Sequence, residues 1–198
     1  MEFVYFGHDV LDAYVNAALD EIMLDLTAAT KKGYLRFHEY KRAALILAYA
    51  QHPSDIIAEN SGGFDLTRRI TQGGVMLGDA NALYFSLTVP RSDYNFTATH
   101  KTFGKRAVEV IKEYVKEDEV HLGKHFSVRI NGRTIIGSGQ RATKDAVLYH
   151  GAIAVMPWDM QKIASTITMD NEERIFVENL PSLYQYSPGV KKEDLAQR

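Results

Sequence analysis

The sequence contains no cysteine, which excludes disulfide bonds, thiolate metal ligands and cysteine nucleophiles. It also has little excess of either charge, since 23 Lys and Arg residues oppose 25 Asp and Glu residues and the formal net charge is -2. So small a net charge creates no long-range field that would gather nucleic acid or an anionic membrane surface, and we expect neither as a partner. The 7 histidines are scattered without the spacing of metal ligands, so we predict no metal site.

Long apolar runs are missing as well. The longest, residues 43–50, is far shorter than the roughly 20 residues that cross a bilayer, so we expect no membrane span. The first residues lack the basic stretch and the long apolar run of a signal peptide. These absences predict a cytoplasmic protein.

The composition is that of a folded domain, with 45% hydrophobic and 24% charged residues in a chain of 198. We expect a single domain over residues 1–180. Residues 181–198 contain two prolines, one glycine and a charged end, which predicts a surface tail. No additional C-terminal domain is expected.

The periodicity of apolar residues predicts an α+β fold. Apolar side chains recur at helical spacing over residues 9–30, with Asp9 as a candidate N-cap, and a second helix is expected over 98–116. A short helix is expected over 159–163. The β-type runs are 34–40, 44–49, 66–70, 83–89 and 146–156. We therefore expect a mixed or antiparallel sheet with helices packed on it.

Asn131-Gly132 provides the strongest local signal, because this pair supplies the positive φ angles of a two-residue type I′ turn. It predicts a hairpin in which Arg129 lies opposite Thr134, with both side chains on the polar side. The period of two places the apolar side at Val128, Ile130 and Ile135.

Residues 68–75, RRITQGGV, are the main candidate for chemistry. Glycines let backbone N–H groups approach an anion closely, and the forked donors of arginine match a phosphate or carboxylate. An acyl phosphate would suit this loop. The alternative is a plain glycine turn beside a solvated arginine pair. No Gly-Lys-Ser/Thr follows, so the loop is not a P-loop.

A second candidate is the small polar segment 137–141, GSGQR, expected as a loop that leaves the hairpin. Lys144 and then His150-Gly151 follow it. Small residues at such a corner permit the close approach of a ligand, although ordinary turn chemistry explains them equally. Asp20, Glu21 and Asp79 are candidates for charge pairing with the arginines and are not expected to act as acids or bases.

Taken in order, these segments resemble the catalytic domain of the lipoate-protein ligase and octanoyltransferase family, which is related to biotin-protein ligase. The resemblance covers roughly residues 14–160, and four motifs in order make it more specific than any one of them. The similar segments are 16–21 (opening helix), 35–37 and 44–51 (next strands), 68–79 (R-R-x-T-G-G-G-A-V-x-H-D loop), 83–86 (following strand), 131–141 (G-x-K-I-x-G-x-A-Q hairpin) and 147–153 (H-G-x-(I/L) strand).

The resemblance implies an activity. Ligases of this family form an acyl-adenylate from lipoate and ATP with Mg²⁺ and pass the acyl group to a lysine of a lipoyl domain, whereas the transferases take octanoate from a carrier protein. It implies that lipoate or octanoate, as the acyl-adenylate, is bound by Arg69, Thr71, Gly73, Gly74, Thr134, Gly137, Ser138, Gly139 and His150.

Three positions depart from the family pattern. The hairpin lysine, which steadies the negative charge of the reaction, corresponds to Thr134, the first loop glycine to Gln72 and the loop histidine to Gly78. The thiol of the transferases is absent, so we expect cysteine-dependent octanoyl transfer to be excluded. We hypothesise that Arg129, across the hairpin from Thr134, replaces the charge of the lysine and is the catalytic residue. The alternative is a solvent-exposed strand arginine.

Two functions are compatible with these residues. The first is an acyl-adenylate-forming ligase, aided by an accessory subunit because many ligases use an additional C-terminal domain or a partner protein. The second is a non-catalytic paralogue, a pseudoenzyme that binds an acyl group or a lipoyl domain as carrier, sensor or subunit. The departures at Gln72, Gly78 and Thr134 favour the second.

Overall fold

The structure is a computed structural model that describes residues 2–56, 63–93, 95–115, 120–123, 127–168 and 180–198. Its strands are β1 Phe3–Leu11, β2 Gly33–Tyr40, β3 Ala44–Leu47, β4 Asp65–Arg68, β5 Met76–Gly78, β6 Ala82–Pro90, β7 Val120–Leu122, β8 Val128–Ile130, β9 Arg133–Ala142 and β10 Ala146–Ala154. Its helices are α1 Ala13–Thr30, α2 Pro53–Ile56, α3 Phe96–Tyr114, α4 Met160–Thr166, α5 Leu183–Tyr186 and α6 Lys192–Ala196. Across these ranges, no helix has the length and apolar character needed to cross a membrane.

Two sheets organise the described residues. The larger has the strand order β1-β2-β6-β10-β9-β8-β7, in which β1 is parallel to β2 and the other neighbours are antiparallel. The smaller has the order β4-β3-β5, with β3 parallel to β4 and antiparallel to β5. Helix α1 packs on β6 and β10, and α3 packs on β7 and β8. This arrangement confirms the predicted mixed sheet with helices packed on it.

The first helix begins later than the sequence predicts. Asp12, not Asp9, is its N-cap residue. Residues 3–11 form β1, which lies at the edge of the larger sheet. The sequence of this strand does not alternate between apolar and polar residues, so the periodicity did not reveal it. Apolar residues such as Phe3 and Val10 are exposed there.

The hairpin prediction is confirmed. β8 pairs with β9, and Arg129 lies opposite Thr134. Asn131 has a φ of 51° and Gly132 a φ of 75°, the positive angles that a type I′ turn requires.

β9 differs from the prediction in two ways. A register shift next to Arg129 leaves Ile135 as an extra residue, so Ile135 and Ile136 are both buried although strict alternation would separate them. The strand then continues to Ala142. The expected loop over 137–141 is therefore wrong, because these residues pair with β10.

The expected surface tail over 181–198 is also wrong. Leu183, Val190 and Leu195 are buried in the main core cluster. Lys192 donates hydrogen bonds to the carboxylate of Glu39 and to a backbone carbonyl 2.8 Å away, which fixes α6 to the end of β2. Proline, glycine and charge predicted a tail, but the apolar residues between them decide the packing.

The two faces of the larger sheet differ in polarity. The face toward α3 is covered by the apolar cluster that includes Ile111, Val128 and Ile130. The face toward α1 has buried polar side chains on strand and helix alike. These are Asn16, Asp20 and Thr27 on α1 and Arg36, His38, Ser86, Thr88 and His150 on the strands. The candidate site lies on this second face.

Candidate functional site

A row of residues in register crosses the α1 face of the sheet. Arg36 of β2 is opposite Ser86 of β6, Ser86 is opposite His150 of β10, and His150 is opposite Gly139 of β9. Because directly paired residues project to the same face, the whole row points toward α1. It forms the floor of the candidate site.

Asp20 of α1 lies over the middle of this row. One carboxylate oxygen is 2.7 Å from His150 Nδ1 and the other accepts a hydrogen bond of 2.5 Å from Ser86 Oγ. Burial alone would raise the pKa of Asp20, but the interaction with His150 and the hydrogen bond from Ser86 hold it below its ordinary 3.8. Asp20 is therefore an ionised buried carboxylate that orients His150. The prediction that Asp20 pairs with arginine is wrong.

Thr71 and Arg69 approach His150 from the other side. Thr71 Oγ1 is 2.7 Å from His150 Nε2 and accepts a hydrogen bond of 2.5 Å from Arg69 Nη1. With Nδ1 protonated toward the ionised Asp20, a neutral His150 ring accepts the hydroxyl hydrogen of Thr71 at Nε2. A continuous chain of hydrogen bonds thus joins the loop after β4, β10 and α1 through Arg69, Thr71, His150 and Asp20.

Glycines make room for this chain. A Cβ on Gly139 would lie 3.0 Å from Arg69 Nη1 and 3.3 Å from Thr71 Oγ1. Gly73 has a φ of 118°, and Arg69 Nη2 donates to the carbonyl of Gly74 at 2.8 Å. The loop therefore wraps around the Arg69 guanidinium, and burial lowers the pKa of that group.

The two adjacent arginines of the loop have different tasks. Arg68 Nη1 donates to the carbonyls of Ala48, Tyr49 and Gln51 at 2.7 to 3.0 Å, so it fixes the chain after β3. Arg69 points into the site. Of the predicted arginine pair, only one member is brought to the row.

Beside the row, His38 of β2 is 4% exposed and stacks on Tyr84 with ring centroids 5.6 Å apart. Burial, with the neighbouring charge of Arg36, lowers the pKa of His38 to about 3. Its Nδ1 has no hydrogen-bond partner in the part of the chain that the structure describes. The ring is therefore neutral at ordinary pH and presents an unpaired nitrogen.

Arg36 is the most deeply buried charge of the site, with 0% of the residue exposed. Its Nη2 donates to Asn16 Oδ1 at 2.6 Å. Its Nε and Nη1 have no partner among the described residues. Neither Arg36 nor His38 was predicted as a site residue from the sequence.

Arg129 and Thr134 lie on the same sheet face as Gly137 and Gly139, on the far side of the bulge. Thr134 is five positions before Gly139 on β9, about 16 Å away at the rise of an extended strand. The structure therefore does not bring Arg129 into the Arg69–Thr71 cluster. Gly137 lies between, with no atom within 4 Å of where its Cβ would be.

Ser138 is the one predicted residue that points elsewhere. Its hydroxyl donates to the Tyr149 hydroxyl at 3.1 Å, on the face opposite His150. No three metal-binding side chains cluster within the described ranges.

Comparison with known proteins identifies the family. A family model described as the lipoyl protein ligase A/B catalytic domain matches residues 12–184. The chain belongs to this family. An octanoyltransferase LipM from Macrococcus caseolyticus is 26% identical over 181 residues, covering 77% of this chain and 65% of that protein. A lipoate-protein ligase A subunit 1 from Thermoplasma acidophilum is 22% identical over 169 residues, covering 80% and 64%.

The chain thus spans about two thirds of the length of the curated relatives it matches. The fold is that of a solved lipoate-protein ligase A bound with ATP, with a TM-score of 0.82 over all of this chain and 82% of that one at 19% identity. Members of this lipoyl ligase family include both ligases and octanoyltransferases. The expected exclusion of the octanoyltransferase type is therefore not confirmed and stays a prediction.

Proposed function

We propose that this chain binds lipoate or octanoate as an activated acyl phosphate and takes part in transferring the acyl group to a lysine of a lipoyl domain. The observation that carries the proposal is the hydrogen-bond chain from Arg69 through Thr71 and His150 to Asp20. It fixes the Arg69 guanidinium and the Thr71 hydroxyl against Gly139, where the sheet has no side chain. Fixed donors of this kind stabilise the charge that develops on an acyl phosphate.

The residues present fit a phosphate group. Arg69 Nε is buried and has no hydrogen-bond partner within the described ranges. No atom lies within 4 Å of a Cβ position on Gly74 or Gly137, so anion and backbone can approach there. ATP with Mg²⁺, when bound, would supply the phosphate that activates the acid. This chain would orient the phosphate group through Arg69, Thr71 and the glycine loop.

Arg129 is proposed to replace the charge of the family lysine. It lies opposite Thr134, and its Nε is buried with no hydrogen-bond partner in the described part of the chain. The stem of Arg129 packs over Gly123, where a Cβ would be 2.9 Å from Nε and 3.1 Å from Cδ. A half-buried guanidinium on the site face fits a charge role better than a freely solvated strand arginine does.

A second subunit is proposed to complete the site. One matched relative is a ligase described as subunit 1, and this chain covers 64% of even that protein. An accessory protein could add the cationic group that Thr134 lacks.

The alternative function is a non-catalytic binder of an acyl group or a lipoyl domain. It is favoured by the distance of about 16 Å between Thr134 and Gly139, which keeps Thr134, and Arg129 opposite it, away from the Arg69 cluster. In that case acid binding persists and transfer does not.

The deciding experiment measures the intact mass of an apo lipoyl domain after incubation with this protein, Mg-ATP and lipoate or octanoate. A lipoyl or octanoyl mass increment supports the transfer function. A parallel reaction with preformed lipoyl-AMP separates loss of adenylation from loss of transfer. No increment in either reaction, together with measurable acid binding, establishes the non-catalytic alternative.

Arg129→Ala is the matching variant, and Arg133→Ala is its control because Arg133 is an exposed arginine on the same hairpin. We expect Arg129→Ala to abolish transfer while Arg133→Ala leaves it intact. Unchanged turnover in Arg129→Ala would remove Arg129 from the mechanism.

A further inference from the structure

An exposed aromatic side chain lies next to the candidate site. Tyr49, which follows β3, is 53% exposed. Its backbone N–H donates to the carbonyl of Thr71 at 2.9 Å, so it adjoins the residue that connects Arg69 to His150. Single exposed apolar side chains are common on protein surfaces and need no explanation. Tyr49 differs from these because two arginines hold it in place.

The first arginine restrains the backbone of Tyr49 and the second restrains its ring. Arg68 Nη1 donates to three backbone carbonyls within residues 48–51. The guanidinium carbon of Arg141 lies 5.0 Å from the centre of the Tyr49 ring, which is a cation–π distance. Arg141 is itself anchored, since its Nη1 donates to the carbonyl of Ile70 at 2.8 Å. A partner that contacts this ring would not have to order it first, which lowers the entropy cost of binding.

Positive charge surrounds Tyr49. Arg68, Arg69 and Arg141 donate to backbone carbonyls and to the Thr71 hydroxyl. No carboxylate pairs with any of these three arginines in the part of the chain that the structure describes. The whole chain has a net charge of -2, so this positive charge is a local feature beside the site. Tyr49, Arg68 and Arg141 are called the Tyr49 patch below.

The charge of the Tyr49 patch restricts the kind of protein that can dock there. In the proposed reaction, a lysine of a lipoyl domain must reach the acyl phosphate beside Arg69 and Thr71. The neighbouring guanidiniums repel an approaching lysine unless carboxylates of the same partner offset the repulsion. A partner suited to this surface therefore carries acidic side chains around its lysine and an apolar contact for the ring.

We infer that the Tyr49 patch is the surface on which the acceptor lipoyl domain docks, with the Tyr49 ring as the anchoring contact. Arg68 and Arg141 then face carboxylates that flank the acceptor lysine. Tyrosine and arginine are among the residue types that contribute most to the affinity of protein interfaces. The inference rests on the proposed function and names the docking surface that this function requires. The patch positions the partner, and no bond forms or breaks there.

The test measures binding of the full chain to an immobilised apo lipoyl domain by biolayer interferometry. Tyr49→Ala should weaken binding by about tenfold or more, because it removes the anchoring ring. Tyr49→Phe should keep the affinity of the natural protein, because it keeps the ring. Tyr184→Ala is the matched control, since Tyr184 is an exposed tyrosine on α5, and it should change nothing. The affinity for octanoate, measured by calorimetry, should be the same in all four proteins.

The salt dependence of the natural protein provides a second measurement. Its affinity for the lipoyl domain should fall as NaCl is raised from about 50 to about 500 mM, because exposed charges are then screened. If Tyr49→Ala does not fold, this dependence still decides, and binding that is insensitive to salt overturns the inference.

The remaining outcomes separate the inference from the proposed function. Unchanged binding of the lipoyl domain by Tyr49→Ala overturns the inference, as does a natural protein that binds octanoate and no lipoyl domain. An equal loss of octanoate affinity in Tyr49→Ala also overturns it, because the ring would then belong to the acid site. Tighter binding of an acyl carrier protein than of the lipoyl domain refutes the choice of partner. A natural protein that binds no octanoate refutes the proposed function instead.

Discussion

Replacing Thr71 by valine tests the hydrogen-bond chain that organises the site. Valine has nearly the shape of threonine but no hydroxyl, so the contacts of 2.5 Å to Arg69 and 2.7 Å to His150 both disappear. A buried ring nitrogen of His150 left without a partner costs about 1–3 kcal/mol. The lost bond from Arg69 adds about 0.5–1.5 kcal/mol, because Arg69 retains its bond to Gly74.

The expected total is a loss of about 1.5–4.5 kcal/mol in the free energy of unfolding, or about 3–18 °C in Tm for a chain of this size. Thr71→Ser is the matched control, since it keeps the hydroxyl and removes one methyl group, at about 0.8 kcal/mol. Urea unfolding at pH 7, followed by the fluorescence of the single tryptophan, Trp158, measures both. Equal stability of the valine and serine variants would refute the chain as a stabilising connection.

Three further predictions concern the same face and the C-terminal segment. The pKa of His38 is about 3 in the folded protein and about 6.5 when unfolded, so the unfolded chain binds more protons and stability should fall as the pH drops from 6.5 toward 3. His38→Gln should flatten that part of a stability profile measured by urea unfolding; an unchanged slope would contradict the assignment. Gly139→Ala should weaken acid binding in calorimetry by displacing the guanidinium and hydroxyl above it, and an unchanged affinity would contradict this placement. Leu195→Ala should cost about 2–5 kcal/mol in urea unfolding because the side chain is buried, against little for the more exposed Tyr184→Ala; equal costs would mean that α6 does not belong to the core.

The sequence was informative where the signal is local. Asn131-Gly132 specifies its turn through backbone angles alone, so the hairpin and the pairing of Arg129 with Thr134 could be predicted. The glycine loop could likewise be predicted from its own residues, 68–75. The bulge at Ile135 was missed although Ile135 and Ile136 interrupt the alternation, because two adjacent apolar residues also fit a regular strand in which one of them faces the other side of the sheet.

The buried polar side of the sheet was missed for a different reason. Arg36 and His38 alternate with apolar residues on β2, the same pattern as a strand with one side in water. Only the packing of α1 over that side turns them into buried groups. Asp20 was predicted to pair with arginine because its true partners, His150 and Ser86, are far away in the sequence.

The wide sequence separation of these contacts bears on how the protein folds. Asp20 and His150 are 130 positions apart, and Thr71 and His150 are 79 apart. Contacts between residues so far apart in the sequence require closure of long loops before any favourable energy is gained. This slows folding relative to a helical bundle. Neither the first helix nor the hairpin can build the chain of hydrogen bonds on its own. The site therefore emerges late, when α1, the glycine loop and β10 dock together, and no short excised segment reproduces it.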